Sequence, residues 1–259
     1  MLTLLLPASR GTQDAALHAQ HLSSFLSQRL ERTVKVEVAS DYAELERRLL
    51  RNEVDLAWAP PILCARAEPT ARGILSAIRV GRSSYRSALV ARKADGLAVD
   101  ALSGKSAAWT DPLSTGGYLL ASAFLTLLGQ PPEKVFKSQR FLGSYRAALE
   151  AVVDGEADVT AIYTPRAEAG AVRQQMEDLV GAKAEALVAL AFTEEVPADG
   201  LVVGQRVSHS DAEPLLESLL SLGTVGRNPL MDALAAERLV PARDGDYRPL
   251  RHATAARRG

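Results

Sequence analysis

The segment Trp109-Thr110-Asp111-Pro112-Leu113-Ser114-Thr115-Gly116-Gly117-Tyr118 sets two hydroxyls and two glycines between a short apolar run and a longer one. Lys105 to Trp109 reads as a strand. Leu119 to Leu128 reads as a helix closed by Gly129, with Pro131 and Pro132 beyond it. Hydroxyl side chains at a helix start make hydrogen bonds there, and glycine lets backbone amides approach a ligand closely. A helix N-terminus also carries about half a positive charge and several donors without partners. The chemistry such a turn offers is oxyanion binding. Gly143-Ser144-Tyr145 and the Tyr42 helix start, behind Ser40 or Asp41, have the same character. Each charge-assisted hydrogen bond contributes about 1.5–3 kcal/mol and each helix end about 0.3–1 kcal/mol. Several together reach micromolar binding after association costs, with no Lys or Arg required. An ordinary N-cap and turn is the alternative at each of these places.

Signs of bond-making chemistry are few. The chain lacks G-x-S-x-G, H-E-x-x-H, a P-loop and a dinucleotide glycine fingerprint after its first strand, so no cofactor is expected. His18 and His21 lie three apart on one helix, with Asp14 a turn earlier, a spacing compatible with a metal. With no second ligand cluster, a solvated helix face is the expected reading, and no metal site is expected. His209 and His252 stand in polar surroundings. The Arg47-Arg48 and Arg257-Arg258 pairs read as solvated charge.

The chain has 259 residues, 47% hydrophobic and 24% charged, enough for one large or two modest domains with real cores. Lys and Arg number 30 against 31 Asp and Glu, a balance that calls for neither nucleic acid nor an anionic membrane. The single cysteine, Cys64, excludes an internal disulfide and is expected to be a small buried residue. Met1 to Pro7 lacks a basic n-region and has too short an apolar run for a signal peptide, so it is expected to be a buried strand. No run approaches a membrane span. The expected location is cytoplasmic as the sequence stands, or periplasmic where Met1 replaces a leader.

These candidate residues need elements to position them, and the pattern is α/β. Strand 2–6 precedes a loop, 7–11, and a helix from about Thr12 to Leu30, where Leu17, Leu22, Phe25, Leu26 and Leu30 follow the helical period. Val34, Val36 and Val38 alternate on a strand, 33–38. A helix 42–51 ends at Asn52, and 54–58 is the next strand. A helix over 62–68 and strands over 74–80 and 87–92 follow. Toward the end come a strand 200–204 and helices 212–222 and 229–237. The basic tail from Arg251 is expected to fray.

One internal similarity organises the whole. Asp41-Tyr42-Ala43 through Asn52-Glu53-Val54-Asp55 resembles Ser144-Tyr145-Arg146 through Gly155-Glu156-Ala157-Asp158, with Glu53 and Glu156 standing 103 residues apart. Each copy reads as a capped helix, a stop at Asn or Gly, and Glu-x-Asp opening an apolar strand. The offset is that of one small domain. Two lobes of similar design are expected: 1–84 with 191–259, and 85–190 inserted between two crossover strands that act as a hinge. Each lobe would present a helix N-terminus to a ligand cleft.

The ordered set of motifs resembles the phosphonate-type periplasmic substrate-binding proteins of ABC importers. Asp41-Tyr42-Ala43 followed by Val54-Asp55-Leu56-Ala57-Trp58 is similar to that family's Asp-Tyr-Ala helix start and Val-Asp-Ile-Ala-Trp strand. Tyr85-Arg86-Ser87 is similar to its Tyr-x-Ser crossover, and Asp111 to Gly117 to its Asp-Pro-x-Ser-Thr-Ser-Gly turn. Gly143 to Leu149, Glu156-Ala157-Asp158 and Pro197-Ala198-Asp199-Gly200 continue the match in order. The resemblance implies a two-lobed α/β fold of the type II periplasmic-binding-protein class, each lobe a mixed sheet flanked by helices, closing over a small oxyanion such as a phosphonate or phosphate. It implies that Ser114, Thr115 and the Gly116 and Gly117 amides hold ligand oxygens, together with Tyr42 and Tyr85. Ser144 and Tyr145 stand at the second-lobe helix start, where the family has a histidine at the position of Ser144. Asp199 would face an amino group on the ligand. Gly116 stands where the family has a third hydroxyl, and Pro165 where some members have a second carboxylate for an ammonium group.

The resemblance makes a non-enzymatic solute-binding protein the first expectation, with a small anionic ligand and an ABC permease or a sensor protein as partners. A cytoplasmic small-molecule lyase on the same bilobed fold is an alternative, with Asp199, Asp111 or Tyr145 as acid or base. A ligand-sensing module for a signalling partner is the other.

Overall fold

Leu4, Leu5 and Leu6, near the start of the chain, are buried in a parallel strand, as an unbroken apolar run of this length requires. The computed structural model describes residues 1–7, 12–224, 228–248 and 250, and for 12–18 and 224 the backbone only. In chain order the elements are β1 (Leu2–Leu6), α1 (Thr12–Arg29), β2 (Val34–Val38), α2 (Tyr42–Leu50), β3 (Leu56–Ala59), α3 (Pro61–Ala67), β4 (Gly73–Ile78) and β5 (Ser84–Arg92). Next come β6 (Ser106–Trp109), a π-helical turn (Thr115–Leu119) running into α4 (Leu120–Leu127), α5 (Pro132–Val135), β7 (Ser138–Phe141) and α6 (Tyr145–Val153). The remainder are β8 (Val159–Thr164), α7 (Ala169–Val180), β9 (Leu187–Phe192), β10 (Val196–Pro197), β11 (Gly200–Val203), α8 (His209–Thr224), α9 (Pro229–Leu234) and β12 (Arg238–Pro241).

The chain divides into two compact units. The first contains Thr12–Ser84, β1 and the described residues from Pro197 onward, and the second is Tyr85–Val196. The first unit's sheet has the order β12-β4-β11-β3-β1-β2, with β1, β2 and β3 parallel and β11 antiparallel between β3 and β4. The second unit's sheet has the order β10-β5-β8-β6-β7, with β9 also on β5. Here β6, β7 and β8 are parallel and β5 is antiparallel to β8. Its two faces carry separate cores, one around Leu149, Val152, Ile162 and Met176, the other around Trp109, Leu125, Phe136 and Leu89.

The 103-residue similarity is present in three dimensions, within each unit. Asp41 caps α2 by accepting the Glu44 amide at 2.7 Å, and Ser144 caps α6 by accepting the Ala147 amide at 3.1 Å. Asn52 and Gly155 both take positive φ, at 56° and 78°. The Asp55 carboxylate accepts the Thr3 amide at 2.8 Å, and that of Asp158 accepts the Ser106 amide at 2.7 Å. Each Asp ties the start of one parallel strand to its neighbour, which is why the Glu-x-Asp segment precedes the strand proper. Cys64 is fully buried, its Sγ 3.3 Å from the Ala59 carbonyl oxygen, and burial pushes the thiol's pKa up.

Several expected limits are corrected. Residues 191–196 belong with the second unit, because Ala191 and Phe192 pair with Leu89 and Ala88 and the Thr193 amide donates to the Ser87 carbonyl at 2.9 Å. The helix expected over 229–237 stops at Leu234, where Ala235 turns into left-handed backbone (φ 47°), and Arg238–Pro241 becomes an edge strand on β4. The metal-compatible Asp14 and His18 side chains, His252 and the tail from Arg251 lie outside the described residues.

Candidate oxyanion site

The topology gathers the candidate residues of the second unit at one end of its sheet. Ser114 follows the carboxyl end of β6 and Tyr145 follows that of β7. Because β5 runs antiparallel to β8, with Arg86 opposite Thr164, Tyr85 lies at the same end. In open α/β sheets the carboxyl ends of parallel strands are where ligands bind.

The turn after Trp109 is built by its own side chains. The Asp111 carboxylate accepts the Leu113 amide at 2.7 Å, and the Asp111 carbonyl accepts the Ser114 amide at 3.0 Å. Ser114 Oγ then accepts the Gly117 amide at 3.1 Å, which leaves its own proton to donate. The Leu119 amide reaches back to the Ser114 carbonyl at 3.0 Å, so the helix begins with a wide π turn instead of the α turn expected. The Gly116 carbonyl is fixed inward by the Ser87 hydroxyl at 2.6 Å. Ser114, Thr115, Gly116 and Gly117 are all buried. A Cβ on Gly117 would lie 2.7 Å from Thr110 Cβ and 2.8 Å from Ser114 Oγ, so glycine is needed there for close approach.

The second helix start is latched to this turn. The Leu142 amide donates to the Trp109 carbonyl at 2.9 Å, and the Gly143 amide to the Thr110 carbonyl at 2.8 Å. Ser144 is occupied as the cap of α6, while Tyr145, the first residue of that helix, brings its hydroxyl to 3.5 Å from Ser114 Oγ. Three tyrosines wall the turn. The Tyr163 ring meets Tyr85 edge-on at 6.1 Å between centroids and Tyr145 at 5.5 Å. The structure thus brings together Ser114, Thr115, Gly116, Gly117, Tyr85 and Tyr145, with Ser144 adjoining.

Tyr42 and Asp199 lie in the first unit, also at the carboxyl end of its parallel strands. Tyr42 opens α2 just after β2, and Gly200, next to Asp199, pairs with Ala59 at the end of β3. Asp199 forms an ion pair with Arg79 at 2.8 Å. Arg79 also donates to the Ala235 and Leu234 carbonyls and lies over the Trp58 ring, 5.6 Å from its centroid. The Asp199 carboxylate therefore already has a cationic partner.

Sequence reasoning missed Ser87, Tyr163, Thr110 and Arg79. The strand-end rule points to Thr110 and Tyr163, since both stand at the carboxyl ends of parallel strands. Ser87 stands in the Tyr85-Arg86-Ser87 crossover motif but has no role assigned there, and nothing local in the sequence pairs Arg79 with Asp199.

Among the described residues no group of acidic, His and Cys side chains is arranged to hold a metal, and no helix is long and apolar enough to cross a membrane. The family model for the ABC transporter phosphonate periplasmic substrate-binding protein matches residues 8–247. The fold is similar to a binding protein component of an ABC phosphonate transporter from Pseudomonas aeruginosa, with a TM-score of 0.82 at 20% identity over 99% of this chain and 86% of that one. It is equally similar to a Prochlorococcus marinus protein solved with methylphosphonate, with a TM-score of 0.82 at 20% identity over 99% and 98% of the two chains. A Xanthomonas citri protein solved with chloride matches with a TM-score of 0.76 at 18% identity over 98% and 96%. The α/β architecture with two mixed sheets is that of the type II periplasmic-binding-protein fold, and the chain belongs to the family of phosphonate-type substrate-binding proteins of ABC transporters.

Proposed function

We propose that this chain binds a small phosphonate-class oxyanion that carries no ammonium group, and that the head group is held at the Ser114–Gly117 turn. The observation that carries this reading is the turn itself. A buried helix start offers the Ser114 hydroxyl and the first-turn amides other than that of Gly117, which Ser114 Oγ already takes, at the carboxyl end of β6, with Tyr145 Oη 3.5 Å from Ser114 Oγ. The donors are neutral and preorganised, so they favour a compact oxyanion over a cationic or extended ligand. The Arg79–Asp199 pair supports a ligand without an amine, since the carboxylate that an amine would need is neutralised by a guanidinium. The methylphosphonate bound by the Prochlorococcus marinus protein is a ligand of this kind.

The protein acts in the periplasm, delivering the anion unchanged to an ABC permease, without turnover. Thermal melts with methylphosphonate, phosphite, phosphate and aminoethylphosphonate test the reading. A ligand at one hundred times its Kd stabilises the folded state by about 2.7 kcal/mol. Methylphosphonate or phosphite is expected to give the largest rise in Tm, and to be recovered intact after incubation. No shift with any of the four, or a preference for aminoethylphosphonate, overturns it.

A further inference from the structure

Arg79-Val80-Gly81-Arg82 is a tight hairpin turn with an unsuited residue at its first central position. The Arg79 amide donates to the Arg82 carbonyl at 2.9 Å, and the Arg82 amide to the Arg79 carbonyl at 3.0 Å. Both central residues take positive φ, 50° at Val80 and 69° at Gly81, as a type I′ turn requires. Such turns favour Asn-Gly, because asparagine enters left-handed backbone readily and a β-branched side chain does not. Among the described residues four other than glycine take positive φ, and Val80 is the β-branched one.

The surrounding chain clamps this turn. The Glu237 carboxylate accepts the Val80 amide at 2.7 Å and the Gly81 amide at 3.0 Å. Arg79 donates in turn to the Ala235 and Leu234 carbonyls at 2.8 and 3.0 Å, and the Glu237 amide donates to the Ile78 carbonyl at 2.8 Å. The clamp grips the turn's backbone and leaves Val80 49% exposed, on a tip so open that a Cβ on Gly81 would meet nothing within 4 Å.

The place of the turn in the fold points to what the side chain meets. β4 runs antiparallel to β11, and β11 antiparallel to β3, so β4 ends where the parallel strands of the first unit end. Val80 therefore stands at the end of that unit which carries Tyr42 and Asp199. A partner that takes up a released ligand must approach this end. An apolar side chain already held on a fixed backbone loses little freedom on docking. A local rule broken and then held by the surrounding structure marks a functional position.

We propose that Val80 is a preorganised docking knob for the ABC permease, seated in an apolar pocket on the permease's periplasmic face. This rests on the reading that the protein delivers its ligand to a permease. It explains why valine stands where asparagine would serve the turn better.

The test is Val80→Asn, which suits the turn and removes the apolar knob. Its Tm is expected to rise by roughly 2–4 °C. Its calorimetric affinity for methylphosphonate is expected to stay within about twofold of wild type, since the ligand site is untouched. In proteoliposomes holding the importer, half-maximal ATPase stimulation by methylphosphonate-loaded protein is expected to need at least about fivefold more variant than wild type. Val80→Ile keeps an apolar branched side chain and is expected to stimulate as wild type does. Stimulation by Val80→Asn equal to wild type overturns the proposal while the delivery reading stands. A fall in its Tm overturns it by showing that valine serves the turn, and a loss of methylphosphonate affinity overturns it by placing Val80 in the ligand site. Wild-type protein that binds methylphosphonate yet leaves the ATPase unstimulated refutes the delivery reading and the proposal together.

Discussion

Asp158 holds Ser106 twice: one carboxylate oxygen, Oδ2, accepts the Ser106 backbone amide at 2.7 Å and its hydroxyl at 2.8 Å. Burial by itself would raise the pKa of this carboxyl, but the two Ser106 hydrogen bonds, helped by Lys105 and Lys137, outweigh it and hold the pKa below the ordinary aspartate value. A depressed carboxylate pKa stabilises the fold above the unfolded value of about 3.9, and that stabilisation is lost as pH falls through the folded value. Asp158→Asn is therefore expected to cost about 1.5–3 kcal/mol at pH 7 in urea denaturation, with the gap to wild type closing toward pH 3. A gap independent of pH would show that charge is not what Asp158 contributes.

Gly117→Ala should damage the turn. The added Cβ runs into Thr110, which is buried at the end of β6 and cannot move without disturbing the sheet. A loss of about 1–3 kcal/mol in stability is expected, with methylphosphonate binding weakened in the same variant. Equal stability and affinity would mean that the turn has more room than its geometry allows.

Thr110 Oγ1 is buried without a hydrogen-bond partner. An unsatisfied buried hydroxyl costs about 1–3 kcal/mol, so Thr110→Val, which keeps the shape, is expected to leave stability unchanged or raise it by about 1 kcal/mol. A clear loss in the urea midpoint would reveal a partner for this hydroxyl.

Arg79 holds the Leu234 and Ala235 carbonyls and the Asp199 carboxylate and lies over the Trp58 ring, while the Asp199 carboxylate pairs with Arg79. Removing the arginine should thus cost more than neutralising the aspartate: about 2 kcal/mol for Arg79→Met against about 1 kcal/mol for Asp199→Asn, both discounted for partial exposure. The order of the two urea midpoints is the measurement, and the reverse order would place the main role on Asp199.

Much of this was legible because repetition and periodicity are local properties. The 103-residue echo exposed α2 and α6 and their caps, which depend on residues within a few positions of one another, whereas the Asp55 and Asp158 strand ties reach 52 residues back along the chain and were not foreseen. The Ser114 turn was legible because hydroxyls and glycines at a helix start have a restricted set of uses. The illegible parts depend on contacts far along the chain. Ser87 meets the Gly116 carbonyl, and Arg79 meets Asp199, only after strand pairing sets their neighbours. The π turn follows from the space around Gly116 and Gly117, which three tyrosines and Thr110 define from other strands and helices. The short strand Arg238–Pro241 lies on an edge that β4 offers it, where the sequence pattern, ending a helix at Glu237, marks no element.

Calorimetric titration of methylphosphonate into wild-type and Ser114→Ala protein tests the central claim most directly. Ser114 Oγ takes the Gly117 amide and stands beside Tyr145 Oη, so its removal strips both the turn's cap and one ligand donor. One site per chain with micromolar or tighter affinity is expected in the wild type, falling at least tenfold in Ser114→Ala while the variant stays folded. Undiminished binding by folded Ser114→Ala protein would contradict the placement of the oxyanion at this turn.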